Sequence, residues 1–142
     1  FDLEDRLIDF AVLMIDISEN LNNTRAGNHI SGQIIRSGTS PALNYGEAQS
    51  AESRNDFIHK LKVLLKELRE TLVAFKIIKR GSLTKKIDLL DKGTIECNEL
   101  ISIFVKSIET ARKNNENENK IYLRFILYFD IHCSLFGVLY SK

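Results

Sequence analysis

Only one proline, Pro41, and no tryptophan occur among the 142 residues. With few clusters of turn-forming residues between the apolar segments, that scarcity points to long helices. Cysteine is scarce as well. Cys97 and Cys133 lie in apolar surroundings with no short spacing between them, and they read as reduced, buried thiols of a cytoplasmic protein rather than as a disulfide framework. No basic segment followed by an apolar core and a small-residue cleavage site is visible, so no signal peptide is expected. The chain begins at Phe1 without a methionine, and a few starting residues are expected to be missing from it. Catalytic signatures are lacking too. There is no G-x-S-x-G, no Cys-His arrangement and no glycine-rich phosphate loop after a strand, so a non-enzymatic role with no cofactor is the expectation.

What is present is the composition of one ordinary globular domain, 44% apolar and 27% charged, long enough for a real core. The formal net charge of +1 conceals a segregation of signs. Residues 1–20 carry Asp2, Glu4, Asp5, Asp9, Asp16 and Glu19 against Arg6 alone, whereas residues 54–86 carry ten Lys or Arg against Asp56, Glu67 and Glu70. One end of the chain is acidic and the middle is strongly basic.

Apolar residues at Leu3, Leu7, Phe10, Met14, Ile17 and Leu21 alternate steps of four and three, the pattern of a helix with a bundle seam. Ile8, Val12 and Ile15 widen that face, which means either deeper burial or a subunit contact. Asn20, Asn22 and Asn23 end the helix. A second helix is expected from about Arg25 to Ser50, with Thr24 as N-cap and an apolar line of Ile30, Ile34, Gly38, Pro41 or Ala42, Tyr45 and Ala48. Four of the seven glycines lie in it, at 27, 32, 38 and 46. Each costs about 1 kcal/mol against alanine, so close helix packing must justify them. Pro41 predicts a kink near 37–41, with Ser37, Thr39 and Ser40 available to the freed backbone groups.

Ser53 and Asp56 have the form of a capping box that opens a third helix, whose stripe is Phe57, Leu61, Leu64 or Leu65, Leu68, Leu72, Phe75 and Ile78, closed by Gly81. Ser82 is expected to cap a fourth, with Leu83, Ile87, Leu90, Cys97, Ile101, Phe104, Ile108 and Ala111 on its seam. Short connections make neighbouring helices antiparallel. The expected fold is therefore an all-α, antiparallel up-and-down four-helix bundle over residues 1–114. A polar spacer, NNENENK, follows from Asn114 to Lys120, and then an aromatic-rich tail that holds six of the twelve aromatics without a clean helical period. The tail, 115–142, is an atypical C-terminal appendage. Arg124, Asp130 and His132 argue against a membrane span in it. A docking helix, a strand-like appendage and a sequence not optimised for this fold remain the open readings.

The run GQIIRSGTSPALNYGEAQ, with S-x-x-x-N-x-x-E-A at Ser40, Asn44, Glu47 and Ala48, followed by RNDFIHKLKVLLKELRETL, covers both central helices. In these residues the chain, from 1 to about 114, resembles the four-helix-bundle family of 23S rRNA intervening-sequence proteins. The resemblance implies a short antiparallel bundle that forms a ring-shaped homo-oligomer, a pentamer. A related branch is similar to the accessory protein of diversity-generating retroelements, a basic ring thought to engage nucleic acid and a reverse transcriptase. The tail departs from the family pattern.

Two surfaces merit a functional reading. Arg36, Ser40, Asn44 and Glu47 fall along one line of the second helix, either as a polar groove for a ligand or as a hydrogen-bonded network in which Asn44 and Glu47 meet Arg69 or Lys66, or a neighbouring subunit. The network is preferred, because half-buried polar groups usually satisfy one another. Lys62, Lys66, Arg69, Lys76 and Arg80 lie on one side of the third helix, with Lys79, Lys85 and Lys86 at its far end. Clustered cations suit phosphate contacts to RNA or DNA. The competing reading is a solvated face, or one that pairs with the acidic first helix of a neighbour. No aromatic platform interleaves them, so base-specific readout is not supported. Asp56 and His59 form D-x-x-H, half of a metal-binding bundle motif, but the second copy is absent. His29 and His132 are isolated. The expected task is that of a non-catalytic, oligomeric nucleic-acid-binding accessory. The alternative is a protein-interaction scaffold, and a small-molecule or metal site inside the bundle is a third reading.

Overall fold

The computed structural model describes residues 3–139, with side chains to 114 and at Glu116, Asn117 and Lys120. Four helices follow one another, α1 (Leu3–Glu19), α2 (Arg25–Gln49), α3 (Arg54–Arg80) and α4 (Ile87–Leu139). They pack as an all-α antiparallel four-helix bundle. One compact unit ends at Ile108 and a second begins at Glu109. The sequence places that boundary at 114, with a spacer behind it. The backbone is helical through 114–120 instead, so the polar run does not interrupt α4. Polar Asn and Glu residues need no break where the helix can satisfy its own backbone bonds. The side chains of Arg124, Asp130, His132 and Cys133 lie outside the described residues. Among the described residues, no helix is long and apolar enough to cross a membrane.

The seam on α1 is buried as its spacing requires, with Leu7, Phe10, Met14 and Ile17 all at 2% exposure or less. Leu61, Leu64, Leu68, Phe75 and Ile78 face them from α3, and Leu90, Cys97, Leu100 and Phe104 from α4. Leu100, rather than the expected Ile101, is fully buried, and Ile101 is half-buried beside it. Fully burying each large side chain stabilises the fold by about 1.5–3 kcal/mol before conformational entropy is counted. Tyr45 and Phe104 close the seam edge to face, with ring centroids 5.9 Å apart.

Two glycines set how near the helices come. A Cβ on Gly38 would run into the Cβ and Cγ of Met14, so α1 lies directly against α2 there. Gly93 does the same for α4, where a Cβ would come within 2.6 Å of Ile17 Cδ1. Gly32 and Gly46 have nothing within 4 Å, and packing does not account for them.

The caps on α2 and α3 follow the sequence. Thr24 Oγ1 accepts from Gly27 N–H at 3.0 Å, and Ser53 Oγ accepts from Asp56 N–H at 3.1 Å. The return bond of the box shifts by one residue, since Asp56 Oδ2 accepts from Glu52 N–H at 3.3 Å rather than from the N–H of Ser53. α2 continues as one helix through Pro41. The hydroxyls of Ser37, Thr39 and Ser40 donate one turn back, to the carbonyls of Gln33, Ile35 and Arg36, and not to the Ser37 carbonyl that Pro41 leaves without its donor.

Ser82 does not cap α4. It sits at φ 50, just past the Gly81 C-cap, and the helix starts five residues later. The intervening residues clasp the α1–α2 turn instead. Leu21 and Thr84 form an isolated antiparallel β-bridge, Asn22 N–H donates to the Leu83 carbonyl at 2.7 Å, and Thr84 Oγ1 donates to the Asn20 carbonyl at 2.8 Å. Two loops at the same end of the bundle thereby satisfy backbone groups that no helix could.

Candidate functional site

Successive residues of a helix turn by about 100°, so Lys62, Lys66, Arg69, Lys76 and Arg80 fall within an arc of about 80° on α3. All five are exposed. Only Lys66 joins a carboxylate, reaching Glu70 at 3.4 Å one turn along the same helix. Lys62, Arg69, Lys76 and Arg80 make no ion pair among the described residues. Lys79 differs, because its ammonium binds Asp91 of α4 at 2.8 Å. Lys85 and Lys86 stand exposed in the loop beyond.

Between these cations the surface is not polar. Val73 and Ile77 are 54% and 47% exposed, and with Ile30 of α2 they line a groove of about 510 Å³ whose rim carries Lys62, Lys66 and Arg69. The helical period puts Val73 in the middle of the basic stripe. Lys76 and Arg80 do not line the groove.

The polar line of α2 does form ion pairs with α3, though with different partners from those expected. Arg36 bridges Glu67, at 3.1 Å, and Glu70, so that Arg36, Glu70 and Lys66 form one chain of charges. Hydrogen bonding from Arg36 holds the Glu70 carboxyl below its ordinary value against the opposing effect of burial, and Lys66 adds to it. The Arg36 guanidinium is raised in turn, first by its bond to Glu70. Glu47 meets Lys60 at 3.6 Å rather than Arg69 or Lys66. Ser40 donates back to the Arg36 carbonyl, and half-buried Asn44 takes no part in these pairs. Beneath them, Thr71 Oγ1 lies 2.9 Å from Ser37 Oγ and 3.0 Å from the Glu67 carbonyl, one proton for two acceptors. Sequence spacing put Arg36, Ser40, Asn44 and Glu47 on one line. It could not say which α3 residue stands opposite each, since that depends on the relative register of two helices.

The opposite charge is gathered on α1. Arg6 is tied to Glu96 and Glu99 of α4, and its guanidinium is raised chiefly by the bond to Glu96. Asp9, Asp16 and Glu19 are exposed and make no ion pair among the described residues. Beside them Ile8, Val12 and Ile15 are 47%, 53% and 44% exposed, so the wide apolar face of α1 is not buried deeper in the bundle.

Asp56 is occupied by the Glu52 N–H and by Lys60 at 4.0 Å, while His59 and His29 are exposed. Among the described residues no group of three or more His, Cys, Asp or Glu could hold a metal ion. Cys97 is a free, buried thiol that donates to the Leu68 carbonyl at 3.2 Å, and burial pushes it up to about 12.

Fold and surface together define a compact antiparallel helical bundle with a cation-lined, apolar-floored groove on one side. A similar solved structure is the 1.70 Å crystal structure of a protein of unknown function from the S23 ribosomal protein family of Bacteroides thetaiotaomicron VPI-5482. The two are 31% identical, the match covers 75% of this chain and 94% of that one, and the TM-score is 0.68. The chain belongs to the S23 ribosomal protein family. No family model matches it, and no curated protein does.

Proposed function

We propose that the protein is a non-catalytic subunit of a homo-oligomer that binds the phosphate backbone of RNA or DNA through α3. The observation that carries this reading is the set of four exposed cations, Lys62, Arg69, Lys76 and Arg80, on one face with no carboxylate partner among the described residues. Packed proteins normally intersperse the two signs, and a one-signed stripe raises the local concentration of a polyanion. Repetition around a ring multiplies that field. Within the S23 ribosomal protein family we place the chain with the 23S rRNA intervening-sequence proteins, and so expect a pentameric ring. By the same resemblance its partners would include a reverse transcriptase in the manner of the diversity-generating-retroelement accessory proteins. A cytoplasmic location follows from such partners.

Reversing Lys76 and Arg80 to Glu tests the phosphate reading, since both are exposed and lie outside the groove. Binding to labelled RNA or DNA should fall at least tenfold with the thermal unfolding unchanged. Undiminished binding would overturn it. The exposed apolar floor of the groove favours a second reading, a protein-interaction scaffold. A phosphate backbone has no use for Val73 and Ile77.

A further inference from the structure

The exposed apolar residues of α3, Val73 and Ile77, and those of α1, Ile8, Val12 and Ile15, lie among opposite charges, and neither set is covered among the described residues. We infer that they cover each other between copies, the α1 face of one subunit seating in the α2–α3 groove of the next. This rests on the homo-oligomer proposed above and specifies which faces build it.

The α1 face is a ridge. Ile8, Val12 and Ile15 fall within about 60° of arc, and Asp9, Asp16 and Glu19 flank them with no ion pair among the described residues. The receiving face is a concavity of about 510 Å³ with Val73 and Ile77 exposed and Ile30 half-buried inside it, lined by Lys62, Lys66 and Arg69 against the single carboxylate of Glu70, which Arg36 and Lys66 already pair. An apolar ridge bordered by carboxylates thus meets an apolar groove bordered by cations. Apolar area removed from water supplies the attraction, while the rim charges favour this pairing over ridge on ridge or groove on groove, each of which would set like charges together. Monomers seldom leave contiguous apolar patches open, and both patches here lie at the surface.

The two faces are different surfaces of one subunit, so the contact is heterologous. Any pair of subunits joined this way leaves one free ridge and one free groove, and growth stops only when the rotation closes a ring. The contact draws Lys62, Lys66 and Arg69 into the subunit interface, so the phosphate surface of α3 proposed above narrows to Lys76 and Arg80, which lie outside the groove.

The test uses two full-length variants, Val12→Glu on the ridge and Val73→Glu in the groove, both at positions more than half exposed. Each is expected to unfold at the temperature of the unaltered chain and to sediment as a monomer at concentrations where that chain is assembled. Mixed one to one, they should form a heterodimer and stop there, because one intact ridge and one intact groove remain between them. Assembly of either variant alone at the original mass would overturn the pairing of faces and leave the homo-oligomer standing. So would a mixture that stays monomeric. An unaltered chain that is monomeric throughout would overturn both, and assign the groove to some other acidic, apolar segment.

Discussion

Thr71 of α3 donates to Ser37 of α2 at 2.9 Å in the fully buried interior, and Ser37 passes the bond on to the Gln33 carbonyl at 3.0 Å. A hydroxyl pair of this kind adds little net energy, since the unfolded chain makes the same bonds to water. Its value lies in register. α3 can slide along α2 only by giving up this bond between the helices, which leaves each hydroxyl to the carbonyl one turn back on its own helix. Thr71→Val should cost about 1 kcal/mol in urea unfolding, and combining it with Ser37→Ala should reveal a coupling of about 0.5–1 kcal/mol. Strict additivity would mean that the two hydroxyls act independently.

Gly38 and Gly32 lie on the same helix and should respond oppositely to alanine. At Gly38 the new Cβ meets Met14, and overpacking should destabilise by about 1–3 kcal/mol. At Gly32 it meets nothing within 4 Å, so helix propensity should dominate and stabilise by about 0.5–1 kcal/mol. Melting temperatures of the two variants, compared with the unaltered chain, check both signs.

Bundle spacing made the class of fold and most of the core legible. Leu7, Phe10, Met14, Leu61, Leu64 and Phe104 all face inward as their steps of three and four require. Caps at Thr24 and Ser53 were legible for the same reason, because a cap is set by residues within one turn. The start of α4 was not. Its placement depends on Thr84 pairing with Leu21 of the α1–α2 turn, a contact distant in sequence that local capping rules do not contain. The basic stripe could be read from Lys62, Lys66, Arg69, Lys76 and Arg80. The groove between them could not, since its other wall is Ile30 on a different helix.

Glu70 gives the polar chain a pH signature. Its folded value lies below the ordinary 4.5, so it contributes stability that is fully present above that pH and is lost as pH falls through the lower folded value. Glu70→Gln should therefore be less stable than the unaltered chain at neutral pH. The gap should close below 4.5 and vanish in stronger acid. A gap that persists unchanged across the acid range would remove Glu70 from the linkage.

Burial and the Leu68 carbonyl should make Cys97 inert. The thiol is held up to about 12, so almost no thiolate forms at neutral or mildly alkaline pH. Alkylation followed by peptide mapping should leave Cys97 unmodified in the native chain and modify it fully in denaturant. Prompt native labelling at pH 8 would contradict the buried, bonded thiol.

Phosphate binding by α3 is tested most directly by a salt series. Labelled single- and double-stranded RNA and DNA would be titrated with the protein between about 50 and 200 mM salt, with its mass in solution recorded in parallel. Micromolar or tighter binding is expected. The log–log slope should be steep, and shallower by about 2 when Lys76 and Arg80 are both reversed, since each lost phosphate contact removes roughly 0.9. No binding at low salt by an intact oligomer would contradict the nucleic-acid reading and leave the interaction scaffold in its place.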